Sequence, residues 1–155
     1  MNLNYIPAET RHIETLLGFM RDFYVHESLT LNEEAARRAL QQLITDEAKG
    51  RVWLIEADGV MAGYTVLTFG FSLEFHGRDA FVDELFIVAE WRGRGIGRQT
   101  LEFLSAACQT LGIAALHLEV ERANTVAQGL YRQAGFVDHD RYLMTRWMDE
   151  KNNSG

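Results

Sequence analysis

The chain has 155 residues and a formal net charge of −7, the length of one domain with a single core, without the basic face of a general nucleic-acid binder. Its one cysteine, Cys108, rules out an internal disulfide framework and suits a reducing compartment, so the cytoplasm is expected. No stretch approaches the ~18 apolar residues of a membrane span and no apolar leader opens the chain, so neither a signal peptide nor a membrane partner is expected.

Residues 3–6 read as a short strand, and Pro7 suits a helix entry. Ile13, Leu16, Leu17, Met20 and Phe23 fall at helical spacing, which predicts a first helix over about residues 9–25. Asn32 stands as an N-cap before Glu33 and Glu34, and Ala36, Leu40, Leu43 and Ile44 carry a second helix toward Gly50. Residues 52–57 are strand-like, Asp58-Gly59 is a hairpin turn, and residues 60–69 return as the second arm. Residues 71–79, with Gly77, read as a loop or irregular hairpin, and 81–88 as a further strand. Leu101, Leu104, Cys108 and Leu111 then form one stripe of a helix that closes at Gly112. Residues 115–120 alternate as a strand, 124–134 form a helix ending at Gly135, and 136–147 make a last strand.

Hairpin arms are antiparallel, while strand–helix–strand crossovers demand parallel pairing. The expected fold is therefore α/β in the α+β sense, a mixed sheet covered by helices. One domain over residues 1–148 is expected, followed by a disordered tail over 149–155.

Between the strand at 81–88 and the next helix lies Arg92-Gly93-Arg94-Gly95-Ile96-Gly97, followed by Arg98. Glycine permits positive φ and close approach of an anion, and a helix start presents free N–H groups with partial positive charge. Three arginines add full charge in an acidic chain, so the turn suits a phosphate or pyrophosphate. A dinucleotide fingerprint would need glycine where Arg98 stands, and a P-loop would need Lys-Ser/Thr where Arg98-Gln99 stands. Both glycine-loop readings fail.

Arg92-x-x-Gly95-x-Gly97 between strand and helix is joined downstream by Asn124-x-x-Ala127-x-x-x-Tyr131-x-x-x-Gly135-Phe136. This pair of motifs, in this order of elements, resembles the GNAT superfamily of acyl-CoA-dependent N-acetyltransferases. The resemblance implies a central, mostly antiparallel sheet whose fourth and fifth strands are parallel and splayed, with helices on both faces. It implies acetyl-CoA as cosubstrate, its pyrophosphate held by Arg92, Gly93, Arg94, Gly95, Ile96, Gly97 and Arg98. Main-chain groups of Leu85, Phe86 and Ile87 would pair with the pantetheine arm like an added strand. Asn124 would help fix the cosubstrate, and it reads equally well as a helix N-cap.

Expulsion of a thiolate from a thioester needs a proton, and a tyrosine hydroxyl, with a reference pKa near 10, keeps one at neutral pH. In this family a tyrosine at the position of Tyr131 does that work. An alkyl ammonium is only about one part in a thousand neutral at pH 7, a handicap of about 4 kcal/mol, which a carboxylate could relieve through water. Asp83 and Glu84 are joint candidates as base or amine-binding carboxylate, and strand alternation lets only one of them face the acceptor cleft. Glu119 on the neighbouring strand is a further acceptor-site candidate. Phe23-Tyr24-Val25-His26-Glu27 and Asp83-Glu84-Leu85-Phe86 are similar to the diamine acetyltransferase branch, which adds Tyr24 and Glu27 on the acceptor side. Residues 71–79 depart from that branch. Small cationic amines are the first substrate expected, then a protein N-terminus or lysine, or an aminoglycoside. Homodimers are frequent in the family, so a homodimer is possible. A non-catalytic acyl-CoA-binding module is the alternative from another class.

The five histidines show no metal-ligand spacing, and Cys108 lies on a core stripe without the flanking signals of a nucleophile. No metal is implied.

Overall fold

A computed structural model describes residues 1–149. The element order is β1 (Leu3–Pro7), α1 (Ile13–His26), α2 (Glu33–Thr45), β2 (Gly50–Ala57), β3 (Val60–Ser72), β4 (Gly77–Ile87), α3 (Ile96–Thr110), β5 (Ala115–His117) and α4 (Thr125–Gln133). The strands form one five-stranded sheet in sequence order. β1 to β4 pair antiparallel, and β5 joins β4 in parallel after the α3 crossover.

Alternation along the strands sends two sets of side chains to two helical layers. Leu16, Leu17 and Met20 of α1 and Leu40 of α2 pack with Val52, Leu54, Tyr64, Val66 and Phe86 on one face. Leu104 and Cys108 of α3 pack with Trp53, Leu67 and Ala80 on the other. Burial pushes the Cys108 thiol up, so it stays a thiol in the core. Helices therefore cover both faces of a mixed sheet, as the sequence pattern implied.

Three boundaries differ from the sequence reading. The first helix is preceded by a 3-10 turn over Thr10–His12, so α1 proper starts at Ile13. Of the two readings for residues 71–79 the hairpin is the one that forms: β3 runs to Ser72 and β4 starts at Gly77, because Phe71 pairs with Arg78 and Gly70 with Asp79 across the ladder. The strand at 115–120 stops at His117, where β5 leaves β4.

The last strand, over 136–147, is absent. β5 offers only three residues of ladder, too little edge to recruit a twelve-residue partner, and the segment is tied down by side chains instead. Arg132 grips Asp138, Arg141 makes two bonds to Glu74, and Arg122 lies over the Tyr142 ring. Val137, Leu143, Met144 and Met148 are consequently exposed. The tail expected to be disordered lies, beyond Asp149, outside the described residues. Among those residues, no helix is long and apolar enough to cross a membrane.

Candidate active site

The glycine turn is built from backbone. Gly93 (φ +73°) and Gly95 (φ +81°) take the left-handed region, and Gly95 is the N-cap of α3. Added Cβ atoms at either would meet nothing within 4 Å, so the surface above them is open. Among the described residues, the N–H groups from Gly93 to Arg98 make no backbone hydrogen bond; the first closed turn is Gln99 N–H to the Gly95 carbonyl. Unbonded N–H groups at a helix start, with Arg98 exposed beside them, fit an anionic pyrophosphate. Arg94 is turned back, donating to the Glu90 carbonyl at 3.1 Å and stacking over Trp91.

Upstream of the turn, β4 has a bare edge. β5 pairs with it only over Asp79, Ala80 and Phe81, which leaves Val82 to Ile87 without a strand on that side. This is the splay that an added strand-like chain requires, and Leu85, Phe86 and Ile87 lie in it. Arg92 Nε donates to the Ile87 carbonyl at 2.8 Å, and its guanidinium covers the Phe86 ring. Leu85, Phe86, Ile87 and Arg92 line one side of a cavity of about 190 Å³, and Phe23, His26 and Glu27 from the end of α1 line the other. Gly63 lets β3 come in close behind: a Cβ there would lie 1.9 Å from the Phe86 carbonyl oxygen.

Pinning the base of the splay, His117 Nε2 on β5 meets Asp79 Oδ2 on β4 at 3.1 Å. The rings of Phe75 and Phe81 flank the imidazole at 4.5 and 5.0 Å. Asp79 falls in the segment read as a loop or irregular hairpin, and no motif in it points to this pair.

On the α1 side of β4 the acidic pair is organised by a bulge. Val66 opposes Glu84 and Leu67 opposes Val82, so Asp83 has no partner across the ladder. Strict strand alternation is therefore interrupted between Asp83 and Glu84. Both act electrostatically on Tyr24 and Tyr64. Glu84 accepts hydroxyl bonds from Tyr24 at 2.6 Å and from Tyr64 at 2.8 Å, one to each carboxylate oxygen. Burial pushes its carboxyl up and the two phenols pull it back. Burial raises Asp83 as well, although the residue keeps solvent contact and its carboxylate makes no hydrogen bond to a described residue. Burial, then Glu84, drives both phenols well above the tyrosine range, so they remain donors. Tyr64 was missed in the sequence, since it sits mid-strand among apolar residues with no motif around it.

Tyr131, on α4, is half-buried, with Phe136 edge-on to its ring. Burial, and then the carboxylate of Glu27, raise its hydroxyl above the usual range. Glu27 thus lines the cavity and acts electrostatically on Tyr131. Asn124 caps α4 by accepting from Ala127 N–H at 3.1 Å. Glu119 lies past the end of β5, exposed and off the sheet. Among the described residues, no three His, Cys, Asp or Glu side chains are grouped to hold a metal ion.

The pattern of the acetyltransferase (GNAT) family matches residues 13–136. A relative, the uncharacterized N-acetyltransferase YycN of Bacillus subtilis strain 168, is 25% identical over 151 residues, covering 90% of this chain and 96% of its own. Among solved structures, integron cassette protein HFX_CASS3 from the mobile metagenome of Cole Harbour Salt Marsh is 33% identical with a TM-score of 0.82, covering 94% of this chain and 90% of that one. A predicted acetyltransferase from Clostridium acetobutylicum, crystallised with acetyl-CoA, shares the fold at 18% identity and a TM-score of 0.78, covering 94% and 96% of the two chains. With its splayed β4 edge and glycine-capped α3, the chain belongs to the GNAT acetyltransferase family and is by class an acetyl-CoA-dependent N-acetyltransferase.

Proposed function

We propose that this protein moves the acetyl group of acetyl-CoA onto a primary amine of a small cationic molecule, by direct attack within a ternary complex. The observation that carries the reading is the acidic pair Asp83–Glu84, set where α1 meets the bare edge of β4. Two carboxylates there favour an ammonium group and disfavour an anionic acceptor. Gly93 to Arg98 would hold the pyrophosphate, with Asn124 near the same end, and the main chain of Leu85 to Ile87 the pantetheine. Tyr24, Glu27 and Glu119 would border the amine.

A carboxylate takes one proton from the ammonium, through water, and frees the nitrogen lone pair. That lone pair attacks the thioester carbonyl to give a tetrahedral adduct with a positively charged nitrogen. That nitrogen gives a second proton to solvent, the C–S bond breaks to leave the amide, and the thiolate takes the Tyr131 hydroxyl proton, which solvent later restores. Glu27 and burial favour the protonated phenol, which suits a group that must arrive with its proton.

Release of free thiol from acetyl-CoA across a panel of diamines, aminoglycosides and lysine peptides tests the reading. Turnover confined to small amines supports it. Turnover of peptides alone would move the acceptor to a protein N-terminus or lysine, and acetyl-CoA binding without any turnover would make the chain a binding module.

A homodimer is proposed as the assembly, on the exposed apolar side chains Leu143, Met144 and Met148; sedimentation velocity reads it. The free, buried Cys108 suits a cytoplasmic setting.

A further inference from the structure

We infer that Asp83 and Glu84 divide the acceptor work: Glu84, clamped by the hydroxyls of Tyr24 and Tyr64, is a positioning carboxylate, and Asp83, carried on the bulge beside it, receives the ammonium proton. This rests on amine acetylation as proposed above, and it names a residue, Tyr64, that no motif marks.

Glu84 already has a donor on each oxygen, and the donors come from two different elements, α1 and β3. Tyr64 is fully buried, so its hydroxyl serves the interior of the protein and not a diffusing substrate. Thr65 Oγ1 donates to the Glu84 main-chain carbonyl at 3.0 Å, fixing the same residue at its backbone. Glu84 is thus held through its side chain and its main chain, immediately after the position where the ladder slips. A bulge persists when its neighbours are over-determined, and these bonds supply that.

Asp83 is the opposite case. It is the extra residue of the bulge, reaches solvent, and its carboxylate accepts no hydrogen bond from a described residue. Its oxygens are therefore available to an ammonium or to the water that relays its proton. The titratable groups on which its charge acts are Tyr24 from α1, Tyr64 from β3 and Glu84 on β4. Both tyrosines are neutral donors, leaving Glu84 as the charged neighbour. The step is a plain proton transfer: the ammonium N–H breaks, Asp83 gains the proton, and solvent later removes it.

The test uses Asp83→Asn, Glu84→Gln and the near-isosteric Tyr64→Phe, with kcat and KM for both substrates measured from pH 5 to 9. Asp83→Asn is expected to lower kcat/KM for the amine at least ~100-fold and abolish its acid limb, with KM for acetyl-CoA changed less than twofold. Tyr64→Phe and Glu84→Gln are expected to lower kcat several-fold and keep the acid limb, which global damage to the fold would not do. An acid limb lost in Glu84→Gln and retained in Asp83→Asn would overturn the division.

Carboxyl NMR titration of the ligand-free protein needs no turnover, so it separates this inference from the acetylation reading. Tyr64→Phe should raise the apparent pKa of Glu84 and leave Asp83 unmoved, and propylammonium should perturb the Asp83 carboxyl more than that of Glu84. A Glu84 carboxyl indifferent to the loss of the Tyr64 hydroxyl would show that no clamp exists.

Discussion

The two ends of the candidate site are made of different material. At the cosubstrate end, the turn from Gly93 to Arg98 offers N–H groups without backbone partners, and the edge from Val82 to Ile87 offers a strand side on which no strand pairs. At the acceptor end, Tyr24, Tyr64, Asp83 and Glu84 work through side chains carried in from α1, β3 and β4. Backbone recognition asks only for a shape, which two left-handed glycines and a splayed strand supply. Side-chain recognition depends on register, and here on a register slip, so a single shifted residue changes which groups meet.

Substitutions should separate the two ends. Tyr131→Phe is expected to have the largest effect, lowering kcat by about 10²- to 10⁴-fold while both KM values stay within a few-fold; steady-state kinetics measures it. Next comes Tyr24→Phe, which removes one phenol–carboxylate bond from the partly buried clamp. It should cost about 1.5–3 kcal/mol in urea unfolding and leave acetyl-CoA binding intact. Gly95→Ala forces a Cβ into the left-handed region at the cap of α3, at about 1–2 kcal/mol. It should raise KM for acetyl-CoA about tenfold, equivalent to ~1.4 kcal/mol, without altering the amine KM. Asn124→Ala removes the α4 cap bond and should cost about 1 kcal/mol of stability, read in a thermal melt.

The smallest effect expected is on pH. Burial raises Asp83 and Glu84 above their ordinary carboxyl values, so the folded chain binds protons there more readily than the unfolded chain does. Their contribution to stability therefore grows as pH falls from neutral through the raised values toward the ordinary carboxylate range, and it is lost as pH rises again. Asp83→Asn should flatten part of that slope in melts taken between pH 7 and pH 4.

The same contrast explains what could be read in advance. Glycines at 93 and 95 leave a chemical signature because few other residues allow that backbone, so the cradle and its strand–turn–helix setting were legible. The order of elements as far as α4 followed from apolar periods of two and 3.6. Glu84 and Asp83 were visible as candidates, but the register slip between them was not, since a bulge is not written in residue type. Tyr64 looks like any core aromatic until its hydroxyl is traced to Glu84. The missing strand over 136–147 failed for the converse reason. Its own alternation is strand-like, yet a strand needs an edge to join, and β5 ends after three residues.

Independence of the two ends is best tested by crossing Gly95→Ala with Asp83→Asn and measuring KM for acetyl-CoA and kcat/KM for the amine in all four proteins. The account predicts that the first substitution moves only the acetyl-CoA constant, the second only the amine constant, and that the double variant shows both losses multiplied. A change in acetyl-CoA KM caused by Asp83→Asn, or an amine loss caused by Gly95→Ala, would contradict it.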